Sequence, residues 1–351
     1  MTKARDLADY TGLQADLAGL QTNITAGDTA ARAGRKNLII NGGFDVAQRG
    51  TSFTGTQIYT LDRWYMDESG STTTLTQETH TLGQTDVPDN PKYYLKMNTT
   101  TGANNCRIEQ NIEGVHHAAG QSATLSFWAK GVNPAGGNYN INMNQLFGTG
   151  GSPSTETSVS LGTFTVTSSW VKKSFTVTLA SISGKTLGTN LGTDHLKLQI
   201  LQPDGDGGSA AWNLNISNIQ FELGSVATDF EHRSYGEELA LCQRYFQKWD
   251  GAPSRRWAFN GMILGTGDSY GVYFLKTTMR ANPVLVTSGT ASDYCLYAGN
   301  ALFTCSTVPT ITNGSVETPQ INFKASGMTD GRASMCGSNT DNGSLSFNSE
   351  L

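Results

Sequence analysis

Charge is scarce in this chain. Asp, Glu, Lys and Arg make up 15% of its 351 residues, and 24 basic side chains face 29 acidic ones for a net charge of -5. Without a basic stripe there is no long-range attraction to nucleic acid or to an anionic membrane, and neither is expected as a partner. Long apolar runs are missing too. No apolar window of about 18 residues exists, and the N-terminus has no signal-peptide core, so membrane insertion and ordinary secretion are not expected. The five cysteines are Cys106, Cys242, Cys295, Cys305 and Cys336. They form no CxxC pair and have no nearby His to complete a zinc pattern, and free buried thiols in a reducing compartment are expected. A bridge between Cys295 and Cys305 would need an oxidising one. GxSxG, HExxH, Walker and Rossmann patterns are likewise absent, so no enzyme is signalled.

What fills the space is Gly, with 40 residues, together with Ser, Thr and Asn. Such a composition favours short strands joined by turns over long surface helices. The exception is the leader, residues 1–36. There Leu13, Leu17, Leu20 and Ile24 fall at steps of four, three and four, a short heptad-like stripe interrupted by Gly12 and Gly19. An isolated helix of this length is marginal in water, so the stripe predicts an oligomerising or anchoring helix.

From Asn37 the period changes. NLIINGGFDVAQRG, Asn37 to Gly50, reads as a first strand leaving a stalk. ATLSFWAKG is the clearest strand, with Leu125, Phe127 and Ala129 on one face and Trp128 and Lys130 on the other. Further strands follow through Leu198 and Ile200, through Trp212, Leu214 and Ile216, and again from Ile219 through Phe221 and Leu223. Half-polar alternation without intervening helices predicts antiparallel sheets in a two-layer sandwich over 37–233. In TLDRWY, Arg63 is expected to rest its stem on an aromatic ring and show its head to solvent. Trp170 reads as a core plug. SYGEELALCQRYFQKW predicts a connecting helix over 234–250, with Tyr245 and Phe246 on its apolar edge and Arg244 and Lys248 near its end. Residues 251–351 read as a smaller all-β domain. Val272 and Phe274 are expected to feed its core, and Met335, Leu345 and Phe347 to mark one edge strand.

Taken in order, NLIINGGFDVAQRG, TLDRWY, RIEQNIEG, TLSFWAKG, the Trp170 strand and NIQFELGSVATDFEHRSYGEELALCQRYF resemble the repeated core of bacteriophage tail fibre and related virion proteins. The match covers about Asn37 to Phe246, and the domain within it is similar to the carbohydrate-binding jelly rolls attached to glycanases. The resemblance implies an all-β jelly roll in a homotrimeric virion appendage, assembled in the host cytoplasm. Its leader would dock on a tail or capsid protein, and its far end would meet a host surface glycan or protein. Attachment through glycan recognition is the function implied first; a structural or decorating virion protein is the alternative, and a glycan depolymerase the second. Sugar-binding jelly rolls stack exposed aromatic rings on pyranose faces beside amides and carboxylates. By that analogy Trp64, Tyr65, Tyr93, Tyr94, Trp128, Glu109 and Gln110 are the candidate ligand residues. The resemblance also implies one structural calcium, for which Asp45, Glu222 and Asp229 are the available donors. The DGDGG run at 204–208 lacks the Glu that a calcium loop needs and reads as a polar turn. No other cofactor is implied.

Overall fold

The structure, a computed structural model, describes residues 36–70, 72–101, 105–133, 137–203, 211–253, 255–265 and 267–351. The expected leader helix, with Leu13, Leu17, Leu20 and Ile24, lies outside the described residues, as does the DGDGG run. Two compact units divide the chain. The first holds the residues before Val46, Thr51–Tyr59 and Trp64–His232; the second takes Val46–Gly50, Thr60–Arg63 and Arg233–Leu351.

Among the described residues the first unit has twelve strands: β1 (Ser52–Thr54), β2 (Ile58–Tyr59), β3 (Tyr65–Ser69), β4 (Thr72–Thr79), β5 (Tyr93–Thr101), β6 (Asn105–Glu113), β7 (Ser122–Val132), β8 (Tyr139–Leu146), β9 (Thr157–Phe164), β10 (Val171–Thr178), β11 (His195–Pro203) and β12 (Trp212–Leu223). They make two six-stranded sheets, ordered β1-β4-β5-β12-β7-β10 and β2-β3-β6-β11-β8-β9. From β5 to β12 the chain changes sheet at every step except the β8–β9 hairpin. Two interleaved Greek keys of this kind define a jelly roll, so the all-β sandwich follows from strand order alone. Alternation supplies the core. Leu125, Phe127 and Ala129 of β7 are fully buried, as are Leu198 of β11 and Ile141 of β8. Tyr139 stacks on Phe164 at 5.2 Å and meets Trp212 edge-on at 5.7 Å.

Residues 37–42 are not a regular strand. β12 carries a bulge between Ser217 and Gln220, with Asn218 at φ +51°, which explains the apparent break at Ile219. Pairing with β5 stops at Ile216, and the segment around Leu38 takes up the edge beyond it. Leu38 N–H donates to Phe221 O (2.9 Å), and Ile219 N–H donates to Gly42 O (3.0 Å). The Asn37 amide imitates a strand partner, giving a hydrogen to Ile219 O and accepting one from Phe221 N–H, both at 3.0 Å. A Cβ at Gly42 would stand 2.2 Å from Ile219 O, so only glycine permits this approach.

In the second unit the predicted connecting helix is shorter than expected. Helix α1 (Tyr235–Gln243) is capped by Ser234, whose hydroxyl accepts from Glu237 N–H, and its last turn carries no basic residue. The chain then becomes β13 (Phe246–Asp250), because Phe246 to Asp250 pair along β22 (Ser344–Asn348). Between them lie β14 (Trp257–Leu264), β15 (Asp268–Val272), β16 (Val284–Thr287), β17 (Tyr294–Ala298), β18 (Ala301–Thr304), β19 (Thr310–Asn313), β20 (Gln320–Lys324) and β21 (Ala333–Ser338). A three-stranded sheet, β13-β22-β16, and a seven-stranded sheet, β18-β17-β21-β14-β15-β20-β19, share a core that includes Ile263, Phe323, Leu345 and Phe347. The strand of Leu345 and Phe347 is therefore central to its sheet and not an edge. Val272 and Phe274 are also corrected: both are exposed, and Tyr273 faces the core instead.

The segments Val46–Gly50 and Thr60–Arg63 build a buried ionic cluster in this unit. Gln48 donates from its backbone and its amide to the two oxygens of Asp62, each at 2.6 Å. The Arg49 guanidinium lies 3.6 Å above the Phe246 ring and binds Glu350 at 3.0 Å. Arg63, at φ +73°, lies 3.4 Å above the Tyr245 ring and also binds Glu350. Arg63 does rest on an aromatic ring, but its head is 1% exposed rather than solvated. Tyr245 and Phe246 are thus platforms for two arginines and not a helix edge. Two carboxylates face two guanidiniums, the pairing that lets charge be buried. Burial pushes the Asp62 carboxyl up, against the pull of Arg49.

Candidate functional site

The outward positions of the second jelly-roll sheet alternate with its core residues. On β6, Arg107 and Glu109 interleave with buried Cys106, Ile108 and Gln110; on β11, Lys197 and Gln199 interleave with Leu196, Leu198 and Ile200. Strand pairing sets these side chains in rows: Asp67 beside Arg107, Glu109 beside Gln199, and Lys197 beside Asn144.

Hydrogen bonds connect them across five strands. Arg107 bridges the carboxylates of Asp67 and Glu109. The Gln199 amide donates to Glu109 Oε1 at 2.6 Å, the Asn144 amide donates to Gln199 Oε1 at 3.2 Å, and the Ser158 hydroxyl donates to Asn144 Oδ1 at 2.7 Å. Lys197 Nζ stands 3.9 Å from Glu109 Oε2. At one end Tyr65 and Tyr59 meet edge-to-face at 5.0 Å, both half-buried. Burial, with the charges of Asp67 and Glu109, pushes the Tyr65 phenol up, so it stays a neutral donor at ordinary pH. Glu109, Gln199 and Asn144 are themselves buried, so what the face presents is the two rings with Asp67, Arg107, Lys197 and the Ser158 hydroxyl, held in place by that buried polar row. Pre-orientation lowers the ordering cost of binding a polyhydroxylated ligand.

Of the residues singled out from sequence, Tyr65 and Glu109 stand on this face. Gln110 points inward and brackets Ile40, accepting from its N–H and donating to its O, each at 2.8 Å. Trp64 is fully buried, packed on Phe44 at 5.5 Å with its indole N–H donating to Asn41 O, and cannot stack on a ligand. These two side chains fasten residues 37–42, a framework role. Tyr93 is half-buried at the start of β5, with Lys92 over its ring at 4.8 Å.

Tyr94 and Trp128 belong to the outer side of the other sheet. Trp128, half-buried, lies between Lys172 and Ser217 of the neighbouring strands. Tyr94 joins His80 and Trp170 in an aromatic cluster with ring centroids 4.8–5.3 Å apart. Lys130 Nζ caps Trp170 at 4.8 Å and Tyr94 at 5.6 Å. His80 Nε2 pairs with Ser217 Oγ at 3.0 Å, and burial and then Lys130 lower its pKa to about 4. Trp170 is buried as expected, but in this outer cluster and not between the sheets.

The calcium donors implied by resemblance are not gathered. Glu222 is buried with its carboxylate taken by Thr228 N–H (2.9 Å), Thr228 Oγ1 (2.7 Å) and Gln220, while Asp45 and Asp229 are exposed. Among the described residues no group of three or more His, Cys, Asp or Glu side chains is placed to hold a metal ion. All five cysteines are buried and none is in a disulfide, with burial pushing the Cys305 thiol up to about 12. No described helix is long and apolar enough to cross a membrane.

Sequence reasoning missed Asp67, Arg107, Lys197, Gln199, Asn144 and Ser158. Their signal was polar alternation within each strand, but strand order alone brings them together.

No protein-family model matches this chain, and no curated protein matches its sequence. Among solved structures it is similar to the enzymatically active domain of tailspike protein 4 of bacteriophage CBA120, at 12% identity and a TM-score of 0.34, over 54% of this chain and 21% of that one. It is also similar to the N-terminal modules of a Clostridium thermocellum endo-1,4-β-D-xylanase solved with xylohexaose, at 13% identity and a TM-score of 0.34, over 55% of this chain and 30% of that one. A third likeness is to a xylan-binding domain from Paenibacillus barcinonensis, at 13% identity and a TM-score of 0.31, over 54% of this chain and 96% of that one. Scores this low decide neither fold nor ligand, and the jelly roll rests on its strand order.

Proposed function

We propose that this chain is a non-enzymatic attachment protein of a phage tail fibre, and that it holds a host surface glycan on the outer side of β2-β3-β6-β11-β8-β9. The observation that carries the reading is the continuous hydrogen-bonded row from Asp67 to Ser158, ending beside Tyr65 and Tyr59. The accessible donors and acceptors of Asp67, Arg107, Lys197 and Ser158, fixed by the buried amides beside them, suit the hydroxyls of a sugar chain, and the tyrosine edge suits a pyranose face. The virion setting is supported by the ordered motifs of residues 37–246. The leader would gather copies of the chain into a trimer and seat them on the tail or capsid, and several weak sites on one particle would add up to firm adhesion. Asp67 and Glu109 are both tied to Arg107, an arrangement that suits two fixed acceptors better than the free acid and base of a glycan-cleaving pair.

Binding of the full chain to glycans released from the host surface tests this reading. Tyr65→Ala and Glu109→Gln are each expected to weaken binding about tenfold or more, roughly 1.4 kcal/mol, with the fold intact by circular dichroism. A second reading, a structural virion protein, is favoured by the commitment of Trp64 and Trp170 to internal packing. It prevails if the wild-type chain incorporates into particles but binds no host glycan.

A further inference from the structure

The second unit contains a surface hollow of about 470 Å³ that the glycan face does not involve. Five aromatic rings line it, those of Trp249, Trp257, Phe259, Tyr273 and Phe274, together with the Asn260 amide. Ala258 and Val272 complete the wall, so no charged side chain lines it. Trp257 is 36% exposed and Phe274 76% exposed, so the two rings form part of one apolar surface patch.

The sheet is shaped to present these rings. A bulge between Trp257 and Phe259 breaks the β14 register against β21. Glycines lie where the rings rest: a Cβ on Gly337 would come within 2.8 Å of the Trp257 ring, and one on Gly271 within 2.4 Å of Phe259. Asn260 also lines a second hollow of about 370 Å³, whose other polar members include Tyr297, Asn300 and Ser334. Trp257 and Tyr297 stand 6.3 Å apart between centroids. Gly299 lines that second hollow, and the Arg332 guanidinium packs against Gly299 without itself lining it.

We infer that the hollow of Trp249, Trp257 and Phe274 is a second saccharide site, which takes the apolar face of an uncharged pyranose, with the next sugar of the chain across Asn260 in the second hollow. An uncharged aromatic wall beside one amide matches a ligand with a C–H face and a hydroxyl edge. A carboxylated sugar would lose solvation in the first hollow with no cation there to replace it. Asn260 can donate to one hydroxyl and accept from another, joining the two hollows.

The test labels the full chain with 5-fluorotryptophan and follows its six tryptophans by ¹⁹F NMR. Probes are the methyl glycosides of glucose, galactose and N-acetylglucosamine and their β-1,4-linked dimers, with methyl glucuronide as the charged control. The Trp249 and Trp257 signals, identified by single Trp→Phe variants, are expected to move saturably with at least one neutral probe, and more tightly with its dimer. Buried Trp64 and Trp212 should stay fixed and report the fold. Asn260→Ala is expected to weaken the response about fivefold or more, and Phe274→Ser, at an exposed position, to weaken it where Trp257→Phe disturbs packing. Tyr65→Ala, which disables the jelly-roll face, should leave the response intact, so the two glycan readings can fail separately. The inference is overturned if no neutral probe moves Trp257 by about 50 mM, if glucuronide moves it equally, or if Asn260→Ala and Phe274→Ser both leave the response unchanged.

Discussion

The two outer sides of the jelly roll carry similar chemistry and arrange it differently. On β5, β7 and β12 the rings of Tyr94 and Trp170 close on His80 and on Lys130, so aromatic faces and cation satisfy one another. On β6, β8 and β11 the polar side chains are linked in a row, with Lys197 Nζ 3.9 Å from Glu109 Oε2 and Ser158 exposed at its end. The lesson is that an aromatic cluster is not by itself a sugar platform. What would distinguish the proposed binding face is polar side chains fixed by a buried row and still reaching solvent, as Arg107, Lys197 and Ser158 do.

The largest break in this comparison should come from Trp170→Ala. Removing a buried indole costs about 3 kcal/mol, seen as a lower thermal midpoint, while glycan affinity stays within about twofold. A substantial loss of affinity would move the binding face to the wrong sheet. Acid should act on the same cluster. The folded pKa of His80, about 4, lies below its ordinary value of 6.5, so the unfolded chain takes up the proton first as pH falls. Stability from neutral His80 is therefore complete above about pH 6.5 and is lost between there and 4, by roughly 2 kcal/mol after allowing for partial solvent screening. His80→Gln should flatten that part of the profile when urea midpoints at pH 7 and 4 are compared.

On the opposite side, Asn144→Ala removes the link between Gln199 and Ser158. Glycan affinity should fall about fivefold, roughly 1 kcal/mol, in calorimetric titration, and stability should change less than for Trp170→Ala. Lys130→Met is the mildest probe. It removes a cation from two rings and should cost about 0.5 kcal/mol with no change in binding.

Much of this architecture could be read from the residues, and the failures have physical causes. β7 was legible because Leu125, Phe127 and Ala129 are core and Trp128 and Lys130 are not. The β15 region was read inside out because its inward positions are small: Ser269 bonds Ser334 at 2.6 Å, and Gly271 makes room for the Phe259 ring. Hydropathy then pointed to Val272 and Phe274, which face outward. Residues 37–42 looked like a strand because Leu38, Ile39 and Ile40 are buried. Yet their polar atoms are met by Asn37, Gln110 and a bulge in β12 rather than by a ladder. Glu109 was legible through its alternation with Ile108. Gln199 and Asn144 were not, because the residues between them and Glu109 in sequence conceal that β6, β11 and β8 are neighbours.

The cluster at Glu350 has a consequence for how the second unit is made. Arg49 and Glu350 are 301 residues apart in sequence, and Arg63 and Glu350 are 287 apart. At about 5–20 residues per second of synthesis, Arg63 emerges roughly 15–60 s before its carboxylate exists. During that interval Arg49 and Arg63 await the Glu350 carboxylate, and β22, the strand that joins β13 to β16, has not been made. The sheet β13-β22-β16 is therefore complete only after residues 344–348 are translated.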